Sequence, residues 1–444
     1  MKPIVAIVGR PNVGKSTLFN RIVGGHRAIT LDEPGVTRDR HYAHASWDGR
    51  DFILVDTAGL PSETKEGSFE AKVKDQVEMA IREANVILFV MDGRQGMLPE
   101  EKKMALILKR SDKKVLLVIN KIDHLTQDAD MADFYALGED LFPVSSEHGI
   151  RVNDLLDKVV SCLPPDAPKG ESFKGIKVAL LGKPNVGKSS LLNQLIGEER
   201  ALVHNEPGTT RDAVDTPLTV HGQDYLLIDT AGIRRRGTWS NTIERYSVLS
   251  SLKAIERADV CLLLLDAKEG IHKQDAHIAG YIQEGKRSLV LIWNKWDLME
   301  DREKTRKEHL SEVEYHLKFL PHVPVLFISA KTGKNCGDIW KIVQRLYQAA
   351  GKRIATSEVN KMFELIISAH NPPVYKGKPV KFFYATQIGI FPPSFLIFVN
   401  EPAGVHFSFK RYLVNSFRDV FGFKEVPVEI YFRKKNKGTR IKPT

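Results

Sequence analysis

An α/β fold repeated twice and followed by a smaller α+β domain is what this 444-residue sequence predicts. Three observations carry the prediction. Short apolar runs alternate with helical stretches, a set of motifs recurs at a nearly constant offset, and the last fifth of the chain changes both pattern and charge. Several domains are expected on length alone, since one core usually serves about 150 residues.

Taken in order, the first unit reads as the strand "IVAIVG", the helical stretch "KSTLFNRIV", then the strands "FILVD", "VILFVMD" and "KVLLVIN". Buried β-branched runs separated by helices are the pattern of a mainly parallel sheet covered on both faces. Asp48 and Gly49 mark a tight hairpin turn before "FILVD". The segment "LPPDAPKGESFKG" is rich in Pro, Gly and charge and has no apolar period, so it reads as a linker. Beyond it the first unit repeats. "GRPNVGKST" returns as "GKPNVGKSS", "EPGVTRD" as "EPGTTRD" and "DTAG" as "DTAG", each displaced by 173 residues, and "NKID" returns as "NKWD" displaced by 174. Four motifs in one order with one inserted residue indicate a domain duplication. After Gly351, residues Val359, Met362, Phe363, Ile366 and Ile367 follow helical spacing until "NPP" stops the helix. Strand-like "VKFFYAT" and "SFLIFVN", a helix around "KRYLVNSFRDVF" and a strand in "VPVEIYF" complete an α-β-β-α-β order. The expected boundaries are 1–163, a linker over 164–175, 176–351 and 352–444.

The longest apolar runs, "VILFVM" and "VCLLLL", fall far short of the roughly 20 residues that span a bilayer. The start, "MKPIVAIVG", leads straight into a strand without a cleavage pattern, so no signal peptide is expected. Cys162, Cys261 and Cys336 form no CxxC pair, which speaks against a disulfide framework or zinc site and for a cytoplasmic protein. The net charge of +10 is concentrated: residues 352–444 carry 16 Lys and Arg against 6 Asp and Glu, and the remainder balances at 49 against 49. A basic domain beside a neutral pair favours a polyanionic partner such as RNA. Arg433, Lys434, Lys435, Lys437, Arg440 and Lys442, with no acid among them, are the candidate contacts.

G-x-x-x-x-G-K-[ST] between a strand and a helix is a P-loop: its glycines turn backbone N–H groups onto phosphate oxygens, its Lys reaches the β and γ phosphates and its Ser ligates Mg²⁺. The first copy comprises Gly9, Arg10, Pro11, Asn12, Val13, Gly14, Lys15, Ser16 and Thr17. The second comprises Gly182, Lys183, Pro184, Asn185, Val186, Gly187, Lys188, Ser189 and Ser190. In "DTAG" and the residue after it, Asp56, Thr57, Ala58, Gly59 and Leu60 correspond to Asp229, Thr230, Ala231, Gly232 and Ile233. Asp56 and Asp229 belong beside the metal, Gly59 and Gly232 offer an N–H to the γ phosphate, and Thr37 and Thr210 are candidates for a second hydroxyl on Mg²⁺. NKxD selects the base. Asp123 and Asp297 can each accept from N1–H and the exocyclic amine of guanine, donors that adenine lacks. Asn120 and Asn294 should brace the loop, Lys121 and Lys295 should cover the base, and Ser145 or Ser329, Ala330 and Lys331 should supply the last base contact. Leu60 and Ile233 stand where Ras-like GTPases have a water-orienting Gln, so intrinsic hydrolysis should be slow and rest on electrostatics from Lys15 and Lys188.

Tandem "PNVGKS" loops, apolar residues after "DTAG" and a small basic tail resemble the Der (EngA) family of bacterial GTPases over essentially the whole chain. The resemblance implies two Era-like P-loop NTPase domains, a KH-like C-terminal domain and a role in assembling the large ribosomal subunit. It also implies that Asn12 and Asn185 help hold K⁺ at the phosphates. The tail has no GxxG loop, which departs from nucleotide-clamping KH domains. Two other readings stand beside this one: a GTPase directed at a protein or membrane target, and a binding module in which one GTPase copy is an inert scaffold.

Overall fold

The computed structural model describes residues 2–25, 42–57, 78, 81, 84–123, 132–137, 141–165, 173–197, 201–203, 215–228 and 243–435. The chain divides into two compact units, Met1–Ser172 and Phe173–Thr444.

In the first unit β1 (Ile4–Val8), α1 (Lys15–Gly25), β2 (Tyr42–Trp47), β3 (Arg50–Asp56), β4 (Val86–Asp92), α2 (Pro99–Lys109), β5 (Lys114–Asn120), α3 (Ala132–Tyr135), β6 (Leu141–Pro143) and α4 (Val152–Cys162) follow in turn. The sheet order is β2-β3-β1-β4-β5-β6, parallel except for β2 at its edge. Every residue of β1 and β4 is buried, which is why these runs lack an apolar–polar alternation. The turn between β2 and β3 is the expected one. Asp48 and Gly49 have φ of 46° and 74°, the left-handed pair that closes a two-residue hairpin with Trp47 opposite Arg50.

The second unit repeats the plan with β7 (Ile176–Leu181), α5 (Lys188–Ile196), β8 (Ala201–Val203), β9 (Thr216–Val220), β10 (Gln223–Ile228), α6 (Ile243–Arg257), β11 (Val260–Asp266), α7 (Lys273–Glu284), β12 (Ser288–Asn294), α8 (Arg302–His316), β13 (Val325–Phe327) and α9 (Asp338–Ala350). Its sheet runs β13-β12-β11-β7-β10-β9-β8. Here β8 adds an antiparallel strand at the edge, which no sequence pattern announced.

From α10 (Thr356–Ser368) the chain passes through the two-residue strands β14 (Val374–Tyr375) and β15 (Lys378–Pro379). It continues to β16 (Phe382–Gly389), β17 (Ser394–Val399), α11 (Phe407–Phe421) and β18 (Glu429–Lys434). The α-β-β-α-β order thus stands, with the β14–β15 hairpin added. β17 pairs antiparallel with β16 and parallel with β18. Val359, Phe363 and Ile366 of α10 are buried, as their spacing predicted. One cluster of buried side chains runs without a break from Ile176 and Leu262 through Trp340 and Leu346 to Phe395, Phe417 and Ile430. Phe391 N–H donates to Ala350 O at 3.1 Å, and Arg345 pairs with Glu425 at 2.9 Å, so polar contacts flank the shared core. Among the described residues no helix is long and apolar enough to cross a membrane.

Candidate active site

Each P-loop bends between a central strand and a helix because its glycines allow it. Gly9 and Gly14 have φ of 156° and 92°, and a Cβ on Gly14 would lie 2.2 Å from Asn120 Nδ2. In the second copy Gly182 and Gly187 have φ of 136° and 99°, and a Cβ on Gly187 would lie 2.2 Å from Asn294 Nδ2. Only glycine combines this backbone with so close a neighbour. Asn12 and Asn185 sit exposed at the loop tips with φ of 66° and 64°, a region Asn tolerates. Val13 and Val186 are fully buried and pin the loops to their cores.

The lysines fold over these loops. Lys15 Nζ donates to Gly9 O at 2.7 Å and Arg10 O at 2.6 Å, and Lys188 Nζ donates to Gly182 O at 2.5 Å and Lys183 O at 2.6 Å. Burial lowers the Lys15 pKa to about 8 against the attraction of Asp56, with Arg10 adding repulsion. A positive charge kept at the N-terminus of a helix suits an anion. Ser16 Oγ donates to Asp56 Oδ2 at 2.7 Å, so hydroxyl and carboxylate converge beside Lys15. Two hard oxygen donors of this kind fit Mg²⁺, which takes few protein ligands and keeps waters and phosphate oxygens. Thr57 Oγ1 donates to Ile7 O at 2.7 Å, tying the end of β3 to β1.

The NKxD segments brace what the P-loops leave open. Asn120 Nδ2 donates to Val13 O at 2.8 Å while its Oδ1 accepts from Ser146 N at 3.0 Å. Asn294 repeats this with Val186 O at 2.8 Å and Ala330 N at 2.9 Å. One amide therefore locks phosphate loop, base loop and final loop together in each copy. Lys121 Nζ spans Asn12 O at 2.7 Å and Asp92 Oδ2 at 2.6 Å, and Lys295 Nζ reaches Asp266 Oδ2 at 2.5 Å. Asp123 is held below the usual carboxylate range by the Ser145 hydroxyl, 2.7 Å from Oδ1, and by Arg94. Ser329 Oγ accepts from Thr332 N at 3.2 Å, and Lys331 is exposed.

Several of these partners went unseen in the sequence. Asp92 and Asp266 end corresponding strands at the same 174-residue displacement as NKxD, a signal that could have found them. Glu101, fully buried, takes Arg10 Nε at 2.9 Å, whereas Lys183 pairs with Glu269 at 2.6 Å. Nothing in sequence distinguishes those acids from ordinary helix-start or loop carboxylates. Thr37, Thr210, Ala58, Gly59, Leu60, Asp229, Thr230, Ala231, Gly232, Ile233, Lys437, Arg440 and Lys442 lie outside the described residues. Arg433, Lys434 and Lys435 are exposed at the end of β18.

Two α/β domains, each joining a P-loop to an NKxD segment through one asparagine, define a tandem-domain GTPase. The description "50S ribosome-binding GTPase" matches residues 4–121 and again 177–295, and "KH-domain-like of EngA bacterial GTPase enzymes, C-terminal" matches residues 353–433. The GTPase Der of Geotalea uraniireducens is 47% identical over 434 residues, 98% of each chain. That of Moorella thermoacetica is 48% identical over 434 residues, 98% of this chain and 99% of its own. A solved structure of Era with MgGDPNP and a stretch of 16S ribosomal RNA is 21% identical, covering 60% of this chain and 95% of its own at a TM-score of 0.31. The chain belongs to the Der (EngA) family of GTPases. Its domains are two GTPase domains and a KH-like C-terminal domain, and its reaction is the hydrolysis of GTP to GDP and phosphate.

Proposed function

We propose that this GTPase is a switch in the biogenesis of the large ribosomal subunit, docking on ribosomal RNA through its basic C-terminal domain. The observation that carries this is the placement of charge. All the excess positive charge lies in residues 352–444, and Arg433 is exposed in register with Phe398, which stacks on Tyr384 at 4.3 Å. Cations beside aromatic rings on one sheet face suit a nucleic-acid backbone and unstacked bases. The description "50S ribosome-binding GTPase", matched by residues 4–121 and 177–295, supports the same reading.

The chemistry divides among named residues. The two P-loops cradle the phosphates, and Lys15 and Lys188 neutralise charge developing on them. Ser16, Thr37 and Asp56, and likewise Ser189, Thr210 and Asp229, would hold Mg²⁺, which polarises the transferring phosphoryl group when bound. Asn12 and Asn185 are the residues that would take K⁺. Asp123 and Asp297 accept from guanine, flanked by Lys121 and Lys295. With Leu60 and Ile233 in place of a water-orienting side chain, intrinsic turnover is slow. The chain works as a monomer in the cytoplasm, without a membrane.

The test is co-sedimentation with ribosomal subunits in GDP and in a non-hydrolysable GTP analogue across a salt series. Binding to the large subunit should depend on nucleotide, fall steeply with salt and weaken when Arg433, Lys434 and Lys435 are replaced together by Ala. Salt-independent binding, or binding that this triple variant leaves untouched, would count against RNA docking.

A further inference from the structure

The two copies differ at the carboxylate assigned to the base. In the first, both oxygens of Asp123 are engaged. Oδ1 accepts from Ser145 Oγ at 2.7 Å, with His148 Nε2 3.8 Å away, and Oδ2 holds the Arg94 guanidinium. In the second, Asp297 makes no hydrogen bond or ion pair among the described residues. The turns that carry the two neighbouring cations are alike. Arg94 and Lys268 both stand two residues after a strand-ending Asp, and their N–H groups donate to Oδ1 of Asp92 at 3.0 Å and of Asp266 at 2.9 Å. Equivalent turns thus carry a guanidinium in one copy and an ammonium in the other. A guanidinium offers a planar fork of donors matched to a carboxylate, which an ammonium does not.

We propose that Arg94 is an internal competitor with guanine for Asp123, making the first site the weaker of the two for GTP and GDP. This rests on the reading of Asp123 and Asp297 as guanine acceptors. Guanine brings two donors to one carboxylate. A cation already donating to Oδ2 must yield that position, and while it stays it weakens the carboxylate as an acceptor. It has somewhere to go: the Arg94 side chain is 60% exposed, against 20% for Asp123. Because the competing pair is close to solvent its strength is modest, so its removal should tighten binding about two- to five-fold. Salt screens such a pair, so the effect should fade at high ionic strength.

The experiment uses the full chain carrying Asp297→Asn, so that a fluorescent GDP analogue reports on the first site. Arg94→Ala should tighten binding about two- to five-fold at low salt, with the gain shrinking in 0.5 M salt, and Arg94→Lys should recover part of it. In a chain carrying Asp123→Asn, Lys268→Arg should weaken the second site by a similar factor. Unchanged or weaker binding by Arg94→Ala at low salt overturns the competitor role. A gain of equal size at both salts overturns it too, because a merely structural effect would not be screened. The underlying reading has its own control. Asp123→Asn should trade guanosine for xanthosine diphosphate, and failure of that exchange refutes the base assignment, whereas success with a flat Arg94 response refutes the competitor alone.

Discussion

Lys15 lies almost wholly inside the first unit, its ammonium donating to two carbonyls and its charge disfavoured by burial, so its pKa falls from the ordinary lysine value of 10.5 to about 8. The folded chain gives up this proton more readily than the unfolded chain, so below pH 8 the buried charge opposes folding in full. That opposition is relieved as pH rises from about 8 towards 10.5. A phosphate chain reverses the preference, because an anion beside Lys15 favours the charged form. Binding of GDP at pH 8.5 should therefore take up a substantial fraction of a proton at the first site, and at pH 7 very little. Calorimetry of the Asp297→Asn chain in buffers of different ionisation enthalpy measures this directly. Affinity at that site should decline as pH rises through 8. Equal enthalpies in all buffers at pH 8.5 would show that Lys15 is already fully charged without nucleotide.

In the strand–loop–helix element, the glycines and the bracing asparagine form one mechanical unit. Gly187→Ala would meet two obstacles: a φ of 99° and a Cβ placed 2.2 Å from Asn294 Nδ2. Positive-φ strain of about 1 to 3 kcal/mol comes before any displacement of Asn294 from Val186 O and Ala330 N. Nucleotide affinity at the second site should fall at least about ten-fold while the first site is untouched, read by stoichiometric titration in the Asp123→Asn chain and its Asp297→Asn counterpart. The equivalent Gly14→Ala should do the same to the first site, since its φ of 92° and its 2.2 Å approach to Asn120 Nδ2 are nearly the same. This element was legible in sequence because its function forces rare residues into fixed spacing. The β2–β3 turn was legible for a similar reason, with Asp48 and Gly49 favouring left-handed backbone. The matching turn at His221 and Gly222, φ 50° and 77°, carries a weaker signal because His is less at home there. The strands β6 and β13, three residues each, and the two-residue β14 and β15, are too short for a period to show. Arg94 was illegible on other grounds: in "DGRQG" it reads as a solvated turn residue, and only three-dimensional pairing across 29 positions gives it a role.

At the scale of the whole molecule, duplication gives two nucleotide sites, but the cores are not distributed one per sequence domain. The cluster of buried side chains that begins at Ile176 in the second GTPase domain continues through Leu346 and Ala350 into Phe363, Phe395, Phe417 and Ile430 of the basic domain. Phe417 alone meets Phe363, Phe395 and Phe421 with ring centroids 6.1, 4.8 and 5.4 Å apart. Residues that share a core tend to unfold together, so a defect planted in the KH-like domain should be felt at the second nucleotide site. Truncation at Gly351 would bare this core, which is why charge substitutions are the cleaner probe of RNA docking. Replacing Phe417 with Ala removes a fully buried ring, a change that typically costs about 3 to 5 kcal/mol. For a unit of this size the midpoint should fall by roughly 5 to 9 °C. Calorimetry in GDP identifies the relevant transition as the one that Asp297→Asn ceases to raise. The expected outcome is that Phe417→Ala lowers that transition and leaves the transition of Met1–Ser172 in place. A new, third transition for residues 352–444 with the other two unmoved would show instead that the basic domain folds independently of the GTPase domain beside it.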